Sequence, residues 1–488
     1  MHPAASSSAS ALGPGAVARG GSLLDPGSAV RRLRVASSRS SAKRTLAGLC
    51  FGVALGWAVV AQPKLAVMLL ALGACLAVQA IGVRRLVLIL IVTTFVTRFR
   101  IVVGGFHFMP EHVVLLIALT SLAMSMRLDR VWAVLRSPTV LLLGLFIAWG
   151  GAVSFLRAPE RTSSLAIVGW LALDWLILVL VMAAIEDSSK IERVGAAAAV
   201  GAAAVAIVLW ALSSAGLIAF GTQHEPFTGA QAAYGLSFEA NILASTMAIW
   251  LFLILTGTRS TRFRVLALGL LGTALVLSLT RAAIIGLLLG LVVWAVLEGK
   301  VARQRVFRSL AAAAVAIAVL SVLAPSVTAP FTKKIAAATD FGSGTGQLRV
   351  QSWSTALGDI HSSGDALLGL GMNTFGQRHL DPTVPELDRG YYLGNLPLEI
   401  FYDTGLVGVL LVLAALATMR PLRREHPGRA IGLIVIYLIC SITTSAFWFG
   451  STWLLIAMAL HRRHSRQPAP APRVETRPVG ALADAGLA

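Results

Sequence analysis

Charge is scarce in this sequence. Asp, Glu, Lys and Arg make up only 13% of the chain, about half of the roughly 25% found in ordinary soluble domains. Acidic side chains are the scarcest, 22 against 41 basic ones. A chain of 488 residues would ordinarily divide into about three soluble domains. One that is 57% hydrophobic, with a mean hydropathy of +0.79, has too little polar surface to coat a water-facing globule. A soluble enzyme and a disordered chain are therefore excluded. Cysteine is scarce as well. Cys50, Cys75 and Cys440 all lie in apolar runs, without a CxxC pair or an even-numbered set, which argues against a disulfide framework and against zinc. What remains is an all-α, polytopic membrane protein.

Crossing hydrocarbon takes about 17–25 apolar residues. Such runs fall at 46–62, 65–83, 86–106, 111–126, 139–156, 165–185, 194–218, 240–257, 265–280, 282–298, 309–325, 396–418 and 430–460. Arg98 and Arg100 interrupt the third, and the last has room for a span plus a return segment bent near Phe449-Gly450. The expected helical bundle has 13 crossings, or 14 with that hairpin. Lys and Arg favour cytoplasmic loops. With the N-terminus inside, 30 of the 41 basic residues fall on the cytoplasmic side and 11 outside. The alternation holds loop by loop and needs an even number of crossings. The net charge of +19 then expresses topology in a bilayer, and nucleic acid is not an expected partner.

This predicts five regions: a flexible basic cytoplasmic tail over 1–45, ending in an uncleaved signal anchor; a transmembrane bundle over 46–325; a large extracytoplasmic loop over 326–395; C-terminal transmembrane helices over 396–461; and a second flexible cytoplasmic tail over 462–488. Loops as long as 326–395 are usually functional. Val350, Trp353, Leu357 and Ile360 recur there at helical spacing, the pattern of a helix lying in the membrane interface. Two glycine turns follow, Gly369-Leu-Gly371 and Gly376, then a polar segment from His379 to Arg389. The chain re-enters the membrane through the stretch from Asn395 to Gly408. A second outer loop, 219–239, carries His224, Glu225 and Glu239. The chemistry is thus expected on the outer face. Asp174 stands apart, near the middle of the sixth apolar run, where a carboxylate needs a partner or a proton.

Several of these pieces resemble one family. Leu279-Thr-Arg281-Ala-Ala is similar to the serine/threonine-arginine-small motif that opens a span in the O-antigen ligase and O-antigen polymerase superfamily. Gly346-Gln-Leu-Arg349-Val-Gln-Ser-Trp353 resembles that family's arginine-then-tryptophan loop entry, and Leu368-Gly-Leu-Gly371-Met-Asn-Thr-Phe375 its loop turn. Asn395 to Gly408 resembles the loop exit, and Phe238-Glu-Ala-Asn241-Ile-Leu-Ala244 an asparagine-containing span start. The resemblance covers roughly residues 230–415.

The resemblance implies transfer of a glycan from a polyprenyl-diphosphate carrier to a glycan, glycolipid or protein acceptor on the outer face of the plasma membrane, with neither cofactor nor metal. It implies that Arg281 and Arg349 bind the donor diphosphate and that Asn241 and Asn395 support the site. Arginine suits that role because its planar fork binds phosphate bidentately and never loses its charge. One position departs from the family. The histidine that usually precedes the loop-exit asparagine is here Gly394. Glu399, Asp388 and His379 are the nearby alternatives for activating the acceptor hydroxyl, and Glu399, one turn inside a helix starting near Leu396, is the expected base. Two other readings are a polysaccharide or lipid transporter or flippase, which predicts charged or broken helices at mid-membrane, and a non-catalytic partner in envelope-polysaccharide assembly.

Overall fold

The computed structural model describes residues 82–460 except 104–105, 125–127, 226–228, 258, 324, 337–343, 380–392 and 420–426. All of them belong to one compact unit, 78–488. The first apolar run, and the second up to residue 81, lie outside the described residues, as do the two tails.

The described chain is almost wholly helical. In order it forms α1 (Val83–Thr93), strands β1 (Ile101–Val103) and β2 (Phe106–Phe108), α2 (Pro110–Met124), α3 (Leu128–Leu135), α4 (Pro138–Arg157), α5 (Arg161–Ala184) and α6 (Ser188–Ser214). Then come β3 (Thr222–His224), β4 (Gln231–Ala233), α7 (Ala240–Thr256), α8 (Thr261–Leu277), α9 (Arg281–Glu298) and α10 (Lys300–Leu323). The long loop carries α11 (Pro325–Ala336), α12 (Gly344–Gly358), α13 (Ser363–Leu368) and α14 (Thr374–Arg378). The chain closes with α15 (Leu396–Thr418), α16 (Pro427–Ser441), a 3-10 turn at Ala446–Trp448 and α17 (Gly450–Leu460). Among the described residues α4, α5, α6, α9 and α15 are long and apolar enough to cross a membrane, and α7, α16 and α17 are shorter apolar helices. The protein is a polytopic helical membrane protein.

Helix starts follow capping chemistry. Asp187 accepts from the Ser189 amide at 2.9 Å ahead of α6, Ser260 from the Phe263 amide at 3.3 Å ahead of α8, and Asn395 from the Leu398 amide at 3.2 Å ahead of α15. Each satisfies an amide that a helix start leaves without a partner. The interior is closed by small residues. A Cβ on Gly290 of α9 would meet the Gly432 carbonyl of α16 at 2.8 Å, and one on Gly432 would meet the Gly290 carbonyl at 2.7 Å, so these two helices pack backbone against backbone.

One expected span is corrected. The run 86–106 is not a single helix, because α1 stops at Thr93. The Thr93 and Thr94 hydroxyls bond back to the Leu90 and Ile91 carbonyls, and the chain then turns into the β1–β2 hairpin. Arg98 donates to the Phe238 carbonyl at 3.0 Å and lies over the Tyr234 ring, while Arg100 lies over Phe238. Two guanidiniums find partners at a bundle end that hydrocarbon would deny them. The last run, 430–460, is two helices with a bend between them, spanning 442–449.

Asp174 has a partner. His112 Nε2 lies 3.2 Å from Asp174 Oδ1, and both side chains are fully buried. The Met109 amide donates to His112 Nδ1 at 3.3 Å, which leaves Nε2 as the N–H facing the carboxylate. Glu111, also fully buried, completes the group.

Candidate functional site at one end of the bundle

The site is built from helix starts and the turns between them. Leu279, just before α9, has a φ of +54°, a backbone conformation that costs a bulky side chain energy and persists only where its surroundings hold it. Here it is buried with Ala232, Tyr234 and Ala240, and Phe331 of α11 packs on the same group. The Thr280 hydroxyl then reaches Asn241 Oδ1 at 3.2 Å. Asn241 thereby ties the start of α7 to the start of α9, whose first residue is Arg281.

Arg349 approaches from α12. It donates to the Thr443 carbonyl at 3.0 Å, in the turn after α16. The next residues of that turn hold two acids. The Thr444 hydroxyl donates to Glu239 Oε1 at 3.1 Å, and the Ser445 hydroxyl donates to Glu399 Oε2. The Trp448 indole donates to the other Glu399 oxygen at 3.0 Å. Glu399 lies in the first turn of α15 and is only 4% exposed. Residues 443–448 therefore connect Arg349 to Glu399 across a few side chains.

Lys334 joins this group although its sequence position carries no motif. Its ammonium lies 2.8 Å from Glu225 Oε1, and both residues are buried. Burial pushes the Lys334 ammonium below its usual value. Glu225 opposes that through its hydrogen bond and its charge, while Arg281 and Arg349 push in the same direction as burial, as like charges nearby. Arg281 and Arg349, far apart in sequence, thus act on one lysine.

A second polar group sits at the other end of α12. Asp359 Oδ2 lies 2.6 Å from His379 Nε2 and accepts from the Tyr402 hydroxyl at 2.6 Å. The His379 ring packs on Phe375 at 4.7 Å between centroids and is 31% exposed. Ten residues of helical rise put Asp359 roughly 15 Å along the axis from Arg349.

The glycine turns have a structural task. α15 is interrupted at Gly405, φ +63°. There the Leu370 and Gly371 amides bond to the Tyr402 and Asp403 carbonyls, each at 2.9 Å. A Cβ on Gly405 would meet the Leu367 carbonyl at 2.4 Å. The Asn373 amide adds a 3.0 Å bond to Asp403 Oδ2, and Arg157 clamps the turn through the Gly369 carbonyl and Asp365, each at 2.6 Å. The loop turn is thus docked into the break of the re-entering helix.

Of the residues singled out from sequence, Arg281, Arg349, Asn241 and Glu399 gather at one end of the bundle. Asn395 caps α15, His379 belongs to the Asp359 group, and Asp388 lies outside the described residues. Lys334, Asp359, Tyr402 and the turn 443–445 were not anticipated. The one signal available for Lys334 was a lysine pair, Lys333-Lys334, in a loop expected outside, where basic residues are under-represented.

These features define a class: a polytopic helical membrane protein with cations and acids gathered on helix starts at one end of its bundle. Residues 265–413, which include Arg281, Lys334, Arg349, Asp359, His379 and Glu399, match the family model described as O-Antigen ligase, and this match supports an O-antigen ligase superfamily assignment. No curated protein matches the chain. The assignment supports an O-antigen ligase-like glycan-transfer function in the membrane.

Proposed function

We propose that this protein transfers a glycan from a polyprenyl diphosphate to an envelope acceptor on the outer face of the plasma membrane, with Arg281 and Arg349 binding the donor diphosphate. The acceptor hydroxyl oxygen attacks the anomeric carbon. The bond from that carbon to the diphosphate oxygen breaks, its electron pair leaves with the diphosphate, and the hydroxyl proton passes to a base. Charge develops on the leaving oxygen, so fixed cations there lower the barrier more than they tighten donor binding. The observation that carries this reading is the match of residues 265–413 to the O-Antigen ligase model, within which Arg281 opens α9 beside the Thr280–Asn241 tie and Arg349 is held on the 443–445 turn.

The proton is assigned to Glu399. Two residues beyond the Thr443 carbonyl that holds Arg349, the Ser445 hydroxyl already donates to its carboxylate. A second reading rests on His379. Both Glu399 oxygens accept bonds within the protein, whereas Asp359 orients the half-exposed imidazole of His379 through one nitrogen, the arrangement of an oriented base. The test is glycan transfer by purified protein from a lipid-linked oligosaccharide, comparing Glu399→Gln, His379→Gln and Asp388→Asn with wild type. Loss of about 10²-fold or more in the first alone supports Glu399, and the same loss in the second alone moves the base to His379. A wild-type protein that transfers nothing while moving lipid-linked glycan across a bilayer would instead be a flippase. One with neither activity would be a non-catalytic partner.

A further inference from the structure

Lys334 has no assigned role, and its position asks for one. The residue is 8% exposed, and its partner Glu225 is 6% exposed. A lysine ammonium is strongly hydrated, and taking it out of water is costly even when paired. Its helix packs near the start of α9: Phe331, one turn before Lys334, packs on the cluster containing Leu279, two residues before Arg281. The charged groups that act on Lys334 come from three other parts of the chain. They are Glu225 after β3, Arg281 on α9 and Arg349 on α12. Its chain neighbour Lys333 is exposed.

The charges of the reaction explain such an arrangement. A diphosphate esterified at both ends, by polyprenol and by sugar, carries two negative charges. When the bond to the sugar breaks, the released polyprenyl diphosphate carries a third, on the oxygen that has just left. Two arginines match the donor; a third cation is needed only as the reaction proceeds. We propose that Lys334 is the cation that meets this third charge, and that Glu225 is a positioning residue that keeps Lys334 protonated and aimed while the site is empty of product. This inference rests on the donor-site reading above and adds a specificity to it: the site prefers the released diphosphate monoester over the diphosphodiester donor.

Two short probes test it with the full-length protein in detergent. Farnesyl diphosphate is the monoester, and farnesyl diphosphate carrying N-acetylglucosamine on its terminal phosphate is the diester. Wild type should bind the monoester more tightly. Lys334→Gln should weaken monoester binding by about tenfold, the loss of one charge-assisted hydrogen bond, and change diester binding by less than about threefold. Lys334→Arg should keep most of the preference. If Lys334→Gln leaves Glu225 unpaired and the protein does not fold, the double variant Lys334→Gln/Glu225→Gln removes both charges and should show the same selective loss.

The Glu225→Gln variant adds a readout that packing alone would not move. Without the carboxylate the Lys334 ammonium loses its proton more readily, so the monoester preference should disappear at lower pH than in wild type. Equal weakening of both probes in Lys334→Gln, or of neither, overturns the inference while leaving the donor site in place, provided Arg281→Ala weakens both. A wild type that binds neither probe overturns the donor site and this inference together.

Discussion

Two groups of buried charge in this protein contrast with each other. At one end of the bundle Lys334 pairs with Glu225 and feels the like charges of Arg281 and Arg349, the four residues coming from separate parts of the chain. Within α2 and α5, Glu111, His112 and Asp174 bring two acids to one imidazole. Burial disfavours charge in both places, and the compensation differs. The first group is assembled from helix ends and turns, sets Lys334 against Glu225 with Arg281 and Arg349 close by, and is suited to an anionic ligand. The second is enclosed by two neighbouring helices, and its His112–Asp174 contact joins them. The lesson is that buried charge drawn from several separate elements to one end of a bundle suits a ligand, whereas a pair such as His112–Asp174 ties neighbouring helices together.

Substitutions can break that contrast. The largest effect should come from His112→Leu. It strands Asp174 among apolar helices, and removing one partner of a buried pair typically costs about 3–5 kcal/mol. Thermal unfolding in detergent should show the loss, and the fraction that remains folded should still transfer glycan. Abolished transfer with an unchanged melting temperature would make the inner group catalytic. Next in size is Arg281→Ala, for which the transfer rate should fall about 10²–10³-fold, or about 2.7–4 kcal/mol, as for other preorganised charge-stabilising donors, with the fold intact.

Gly405→Ala should be smaller, about 1–3 kcal/mol of stability. A Cβ there opposes both the positive φ and the Leu367 carbonyl. Limited proteolysis should find the 363–379 segment loosened before the bundle itself yields. Smallest is Asn241→Ala, which removes one of the two acceptors near the Thr280 hydroxyl and leaves the Ser278 carbonyl. About 1 kcal/mol, or roughly fivefold in turnover, is expected, with donor affinity little changed.

Much of the fold was legible from residue patterns because bilayers impose length and hydrophobicity on each helix. The helix expected to start near Leu396 does start there, capped by Asn395. The misreading at 86–106 arose because hydropathy averages over Arg98 and Arg100, whose partners, the Phe238 carbonyl and the Tyr234 ring, are about 140 residues distant. The motif arginines could be found locally. Lys334 could not, because its significance lies in its ion pair with Glu225 and in the charges of Arg281 and Arg349, brought near it only by folding. The same holds for His379, whose meaning changes once Asp359 is beside it. Likewise Gly369 and Gly371 read as turn formers, yet what they do is admit the turn into the break at Gly405.

The central claim is that guanidiniums at this end of the bundle stabilise a departing diphosphate. The most direct measurement is the single-turnover rate of polyprenyl diphosphate release, with glycan transfer followed in the same sample, for wild type and Arg281→Lys in lipid nanodiscs. Lysine keeps the charge and removes the bidentate fork. The account predicts release matched one for one by transfer in wild type, and a rate at least about tenfold lower in Arg281→Lys with the donor still bound. Equal rates in the two proteins, or diphosphate release with no glycan reaching the acceptor, would contradict it.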